Sequence, residues 1–213
     1  MYESYESTRF NFNPQRAAVW REVVRWLESR FGVPGTLLEL GAGYCDASNA
    51  SRAATRIAMD VREEFTRHAA PGVRTVVGSC ADLRGIPDAS VNQVLASNLF
   101  EHLTRAILVR TVAEVRRVLT PGGQLVVIQP NFALIPRAYF DDHTHIAESI
   151  FTDRSLADFL AAQGMQVIVR QRRVLPFSMK SSLPAHPWLV RAYLRSPWKP
   201  FAGQMLIVAE RGG

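Results

Sequence analysis

Three groups of residues have the types and spacing that chemistry requires. The first is the turn Glu39-Leu40-Gly41-Ala42-Gly43, where an apolar run breaks into Gly-x-Gly. Glycine serves where backbone must bend sharply and let a ligand come close. Asp60 lies 19 residues beyond Gly41, at the end of the next apolar run. A carboxylate there can accept hydrogen bonds from ribose hydroxyls. The dinucleotide version of this arrangement places a third glycine where Asp46 stands. Asp46 at a helix start would face a pyrophosphate with like charge. The turn therefore favours a ribose ligand that carries positive charge, with Glu39 and Asp46 complementary to it.

The second group is Asp141-Asp142-His143-Thr144-His145. His-x-His with two carboxylates can hold a metal or a base for a substrate hydroxyl. An acceptor-site role ranks first, a structural role second and metal third. No further ligand has convincing spacing, so no metal site is expected. His102, after Glu101 at a helix start, is a candidate base or substrate contact, although a capping and packing role ranks ahead of that.

The third group is a basic tail. Residues 1–158 hold 17 Arg against 18 Asp and Glu, so the net charge of +6 arises elsewhere. Between Phe159 and Ala209 there is no acid, while Arg170, Arg172, Arg173, Lys180, Arg191, Arg195 and Lys199 are all basic. Phe177, Trp188, Tyr193, Trp198 and Phe201 are interleaved with them. Cations and aromatics together suit an anionic membrane or a lipid-linked phosphate. A basic face with its aromatics packed inward is the alternative. Nucleic acid is disfavoured because no recognised motif accompanies the charge.

Alternating elements must position these groups. A helix is expected over 15–31, stopped by Gly32 and Pro34. Strands are expected at 36–40, 56–61, 73–77, 91–97 and 124–129, with helices from Asp46, over 62–69 and over 104–119. Asp46 is expected to cap its helix. Thr120-Pro121-Gly122-Gly123 is a turn. Residues 130–150 show no period. A helix over 153–163, strands at 165–175 and 204–209, and a Pro-rich stretch at 176–200 complete the chain. Near-continuous apolar strands suit a parallel sheet covered on both faces. A length of 213 residues accommodates one such domain. Cys45 and Cys80 are read as free thiols. The polar, acidic N-terminus lacks a secretion signal, and no apolar run reaches the ~20 residues of a membrane span, so the expected compartment is the cytoplasm.

Taken in order, the motifs resemble those of class I S-adenosylmethionine-dependent methyltransferases, closely over residues 35–130. Glu39 to Gly43 is similar to the family's first motif, and Asp60 with Val61 to its ribose-binding strand end. Cys80-Ala81-Asp82-Leu83 resembles the segment that closes on adenine, with Asp82 at the amino group. Ser97-Asn98-Leu99-Phe100-Glu101-His102-Leu103 resembles the segment lining the methyl donor. Leu119 to Gly123 resembles the turn before the family's fifth strand. Tyr44-Cys45 departs from the third glycine that many members carry.

The resemblance implies a Rossmann-like α/β fold: a seven-stranded, mostly parallel sheet, helices on both faces, and an antiparallel last strand. It implies S-adenosyl-L-methionine as cofactor, held by Glu39, Gly41, Ala42, Gly43, Asp46, Asp60, Val61, Ala81, Asp82, Ser97 and Asn98. Residues 1–213 would form one methyltransferase domain: a helical cap at 1–34, a cofactor half at 35–130, and an acceptor half at 131–213 with the basic 170–200 segment. A saccharide, lipid-linked sugar or similar small hydroxyl compound is the expected acceptor, with His143, His145 and His102 as candidate catalytic residues. Methylation of a natural-product or quinone-like ring, and a noncatalytic binding protein, are the alternatives.

Overall fold

The apolar runs become the strands of one seven-stranded sheet. They are β1 (Thr36–Leu40), β2 (Thr55–Asp60), β3 (Val73–Val77), β4 (Val91–Ser97), β5 (Leu119–Pro130), β6 (Met165–Gln171) and β7 (Gln204–Arg211). The computed structural model describes residues 14–142, 144–176 and 186–212. Strand order is β3-β2-β1-β4-β5-β7-β6. The first five strands run parallel, and β7 is antiparallel to both β5 and β6, as expected.

Side chains alternate across each strand, so adjacent apolar residues enter opposite layers. Leu38, Val94, Val127 and Ile207 pack with Leu108, Val112 and Val115 of α3 (Arg105–Val118) and Leu156 and Leu160 of α4 (Asp153–Ala162). Leu37, Leu95, Val126 and Val208 pack on the other face with Val23, Val24 and Leu27 of α1 (Pro14–Phe31) and Leu194 of α5 (Pro187–Arg195). Two covered faces explain why the strands read as unbroken apolar runs.

Several boundaries differ from expectation for identifiable reasons. The helix after β1, α2, is only Asp46–Ala50. Cys45, in the left-handed region at φ 56°, is its N-cap, so Asp46 is the first helical residue rather than the cap. The charged stretch after β2 is a 3-10 helix, Glu63–His68. Residues 120–123, expected as a turn, fall within β5, where Gly122 adopts φ 72° and the pairing with β4 jumps from Leu119 to Gln124. β6 stops at Gln171, although Val174 N–H still bonds Gln204 O. The Pro-rich stretch contains α5: Pro187 sits in its first turn, where its missing N–H costs nothing. Residues 131–150 contain two 3-10 turns, Tyr139–Asp141 and Ala147–Ser149. Cys45 and Cys80 are buried free thiols.

Candidate active site

β1 lies between β2 and β4, so the C-terminal ends of these three strands meet where the strand order reverses. Ligands of open α/β sheets bind at this switch point. Gly41 adopts φ 66°, and a Cβ there would meet Leu99 Cδ1 at 3.0 Å. Ala42 N–H donates to Met59 O at 3.0 Å, and Gly43 N–H to Asp60 Oδ2 at 3.0 Å. The glycine turn is thus tied to β2 on one side and pressed against the segment after β4 on the other.

Glu39 is buried beneath this turn. Its Oε2 accepts from Ser48 N–H at 2.8 Å and Ser48 Oγ at 2.5 Å. Burial pushes its carboxyl up to about 7, against the pull of the Ser48 bonds. Asp46 is not left as a bare charge: Arg16 Nε of α1 lies 3.0 Å from its Oδ2. Burial nevertheless raises the Asp46 pKa. This ion pair weakens the expected repulsion of a phosphate by Asp46. Glu39 supplies the stronger reason against phosphate, because its own carboxylate occupies the Ser48 amide at the start of α2.

The other strand ends carry the remaining polar groups. Asp60 Oδ1 accepts from Arg62 N–H at 3.1 Å and Nε at 3.2 Å, and Val61 beside it is exposed. After β3, Ala81 is buried, while Asp82 is bound by Arg84 at 2.8 and 2.6 Å, which holds its carboxyl down to about 2. Arg117 of α3 anchors this loop by donating to Leu83 O at 2.8 Å and Ile86 O at 3.1 Å. After β4, Asn98 adopts φ 48°, its Nδ2 donates to Ser97 Oγ at 3.1 Å, and its Oδ1 accepts from Gln204 Nε2 at 2.7 Å.

Beyond Asn98, the chain forms the 3-10 turn Phe100–His102, and residues 131–150 fold over it. Ile146 N–H donates to Glu101 O at 3.1 Å, and Ser149 Oγ to Leu103 O. His102 Nδ1 lies 3.0 Å from Thr144 Oγ1, which in turn donates to Asp142 Oδ1 at 2.6 Å. His145 is buried, with Nδ1 2.5 Å from Tyr139 O. The two rings stand 5.0 Å apart. Burial, then the neighbouring His145, pull the His102 pKa down to about 4. The fold therefore joins two of the candidate histidines that are 43 residues apart in the chain. His143 lies outside the described residues.

Comparison with solved structures finds this fold repeatedly. A Haloferax volcanii putative methyltransferase, solved in complex with the Trm112 methyltransferase activator, superposes with a TM-score of 0.69 at 18% identity, over 93% of this chain and 91% of that one. A putative methyltransferase from Bacillus halodurans gives 0.64 at 14% identity, over 89% and 99%. An S-adenosylmethionine-dependent methyltransferase from Archaeoglobus fulgidus gives 0.63 at 15% identity, over 98% and 99%. No curated protein matches the sequence. Residues 38–127, which hold the glycine turn, Asp60, the loop after β3 and β4, match the family model of the methyltransferase domain. These matches support a class I S-adenosylmethionine-dependent methyltransferase, with residues 38–127 carrying the methyltransferase domain signature.

The site of this methyltransferase contains groups that the sequence motifs did not single out. Arg16 reaches Asp46 from α1, and no spacing rule links them. Glu101 is fully buried, and burial, with Asp142 adding to it, raises its carboxyl to about 8. Gln129, near the end of β5, is also fully buried. Neither the Glu101 carboxylate nor the Gln129 amide has a hydrogen-bond partner among the described residues. A polar residue inside an apolar strand was the available signal for Gln129. For Glu101 there was none, since a Glu in a short polar turn is ordinarily solvated. The carboxylates Glu39, Asp46 and Asp60, the last two paired with Arg16 and Arg62, are the groups that would meet the ribose hydroxyls, ammonium and sulfonium of the cofactor, and such a donor set fits it.

Proposed function

We propose that this methyltransferase transfers a methyl group to a hydroxyl of a saccharide, a lipid-linked sugar or a similar small alcohol. The carrying observation is the pairing of His102 and His145 beside the strand ends that hold the cofactor motifs. Glu39 faces the ammonium, Gly41, Ala42 and Gly43 give the close backbone, and Asp46 adds negative charge behind them. Asp60 receives the ribose hydroxyls, and Val61, Ala81 and Asp82 border the adenine. Ser97 and Asn98 flank the reacting end.

S-adenosylmethionine supplies an already activated methyl group. The protein's work is to align the acceptor, exclude water and deal with one proton. The acceptor oxygen attacks the methyl carbon, the C–S pair returns to sulfur as a neutral thioether, and the hydroxyl proton passes to a histidine base. Activating that oxygen falls to His102 and His145, with His143 as the third candidate.

A lipid-linked acceptor is supported by α5 and the loop after it. Lys199 Nζ caps the helix by donating to Tyr193 O at 2.5 Å and Leu194 O at 2.9 Å, and Tyr193 Oη donates to Pro200 O at 2.9 Å. This bracing holds Trp198 and Phe201 outward, 76% and 79% exposed, with Trp188 near them in sequence at 59%. Phe201 sits at φ 58°, a strained value for a bulky residue. Ordered aromatics beside Arg195 suit a membrane interface. Among the described residues no helix is long and apolar enough to cross a membrane.

The test is acceptor screening with labelled methyl donor, comparing sugars and lipid-linked sugars with phenolic and quinone-like rings. Transfer confined to rings refutes the hydroxyl-sugar reading. Wild-type turnover in His102→Ala, His143→Ala and His145→Ala removes the histidines from the chemistry.

A further inference from the structure

A fully buried carboxylate with no donor is expensive. Leaving such a group unpaired costs several kcal/mol, and native proteins rarely tolerate it without a reason. Glu101 is in this position: neither carboxylate oxygen has a hydrogen-bond partner among the described residues. One Glu101 oxygen and one nitrogen from each of His102 and His145 lie within 4.8 Å of one another. Two imidazoles and a carboxylate converging at a buried point are the donor set of many catalytic zinc centres.

The surroundings of the two rings match what metal-bound histidines need. A ligating imidazole ordinarily gives its other nitrogen to a carbonyl or carboxylate, which fixes the tautomer. His145 Nδ1 is held by Tyr139 O at 2.5 Å. His102 Nδ1 is 3.2 Å from Thr144 O and 3.0 Å from Thr144 Oγ1. Because Thr144 Oγ1 donates onward to Asp142, it accepts from the ring. Both imidazoles are thereby set as Nδ1–H tautomers, with the lone pair on Nε2. The Asp142 carboxylate behind Thr144 offsets part of an ion's charge.

We propose that Glu101, His102 and His145 form a binding site for one divalent transition-metal ion of the zinc class. The sequence ranked metal last for the Asp141 to His145 cluster and expected no metal site; the fold brings Glu101 and His102 to His145. Ligand atoms around a tetrahedral ion at 2.0–2.1 Å stand about 3.4 Å apart, so binding draws the three side chains together by about an ångström. The role of the ion rests on the hydroxyl-acceptor reading. A hydroxyl coordinated to the ion would give its proton to water far more readily than a free one, so the histidines would activate the acceptor through the ion rather than by taking the proton themselves. Binding of the ion does not depend on that reading.

The experiment is titration of chelator-treated, untagged protein with Zn2+ and Co2+, without S-adenosylmethionine or acceptor, alongside elemental analysis of the protein as purified. One ion per chain is expected, with a visible Co2+ spectrum of nitrogen and oxygen ligation. Glu101→Gln and His145→Ala should each weaken binding at least about tenfold while retaining S-adenosylmethionine binding, which reports that they fold. No stoichiometric ion on the wild-type protein overturns the site, whatever the variants do. So does a thiolate band, which would place the ion on Cys45 or Cys80, or equal affinity in the variants, which leaves a shared proton between Glu101 and a ring. Metal binding without hydroxyl methylation would refute the acceptor reading alone, and hydroxyl methylation without metal binding the ion alone.

Discussion

Glu39 offers the most direct test of the cofactor site. Its carboxyl is raised from 4.5 to about 7 because it is buried, and a cationic ammonium beside it would favour the ionised form. Cofactor binding should then release a proton from Glu39. Between pH 7.0 and 5.5 the ionised fraction falls from about one half to about 3%. Affinity should therefore drop about tenfold or a little more, between about 1 and 2 kcal/mol. The cofactor's own amine titrates near 8, above this window. Calorimetry in buffers of different ionisation enthalpy should find nearly one proton released at pH 6. The same shift has a stability consequence. A raised carboxyl favours the folded state below pH 4.5, and that advantage, about 3 kcal/mol, disappears as pH rises through 7. Glu39→Gln should bind more weakly, with a flat profile and no proton release. A wild-type affinity independent of pH, or a Gln variant with the same slope, refutes the placement of Glu39 against the ammonium.

Three further outcomes are expected. Gly41→Ala places a side chain at φ 66° and 3.0 Å from Leu99 Cδ1, so it should cost about 1–2 kcal/mol in thermal unfolding and weaken cofactor binding measured by calorimetry. Arg117→Met removes the donors to Leu83 O and Ile86 O and the partner of Glu114, which should lower stability by about 2–3 kcal/mol in urea and loosen the loop that carries Ala81 and Asp82. Replacing Trp198 and Phe201 together by Ser should abolish flotation with anionic vesicles at low salt and leave turnover of a soluble acceptor unchanged; a wild-type protein that does not float rejects the membrane surface.

The fold of residues 35–130 was legible because its determinants are local. Leu37 and Leu38 sit on opposite faces of β1, and both faces are covered, so the strand reads as apolar whatever its partners. Gly41 and Asp60 end adjacent strands, and a parallel sheet aligns such ends automatically. The basic segment is less legible because its prolines interrupt any helical period. Pro187 and Pro197 in fact delimit a nine-residue helix, one at its start and one beyond its C-cap.

The acceptor side depends on contacts across long stretches of chain, and no periodicity encodes them. His102 and His145 meet only because residues 131–150 fold back over the turn after β4, through bonds such as Ile146 N–H to Glu101 O. Arg16 likewise reaches Asp46 from a helix that precedes the glycine motif. Arg16 also changes the physical argument drawn from Asp46. Rejection of phosphate by Asp46 alone would require an unpaired charge, and the ion pair removes it. Rejection by Glu39 requires only that its carboxylate already hold the amide at the start of α2. The local motif thus marks the turn at the strand ends, while the physical argument for its ligand preference rests on residues that only the fold brings together.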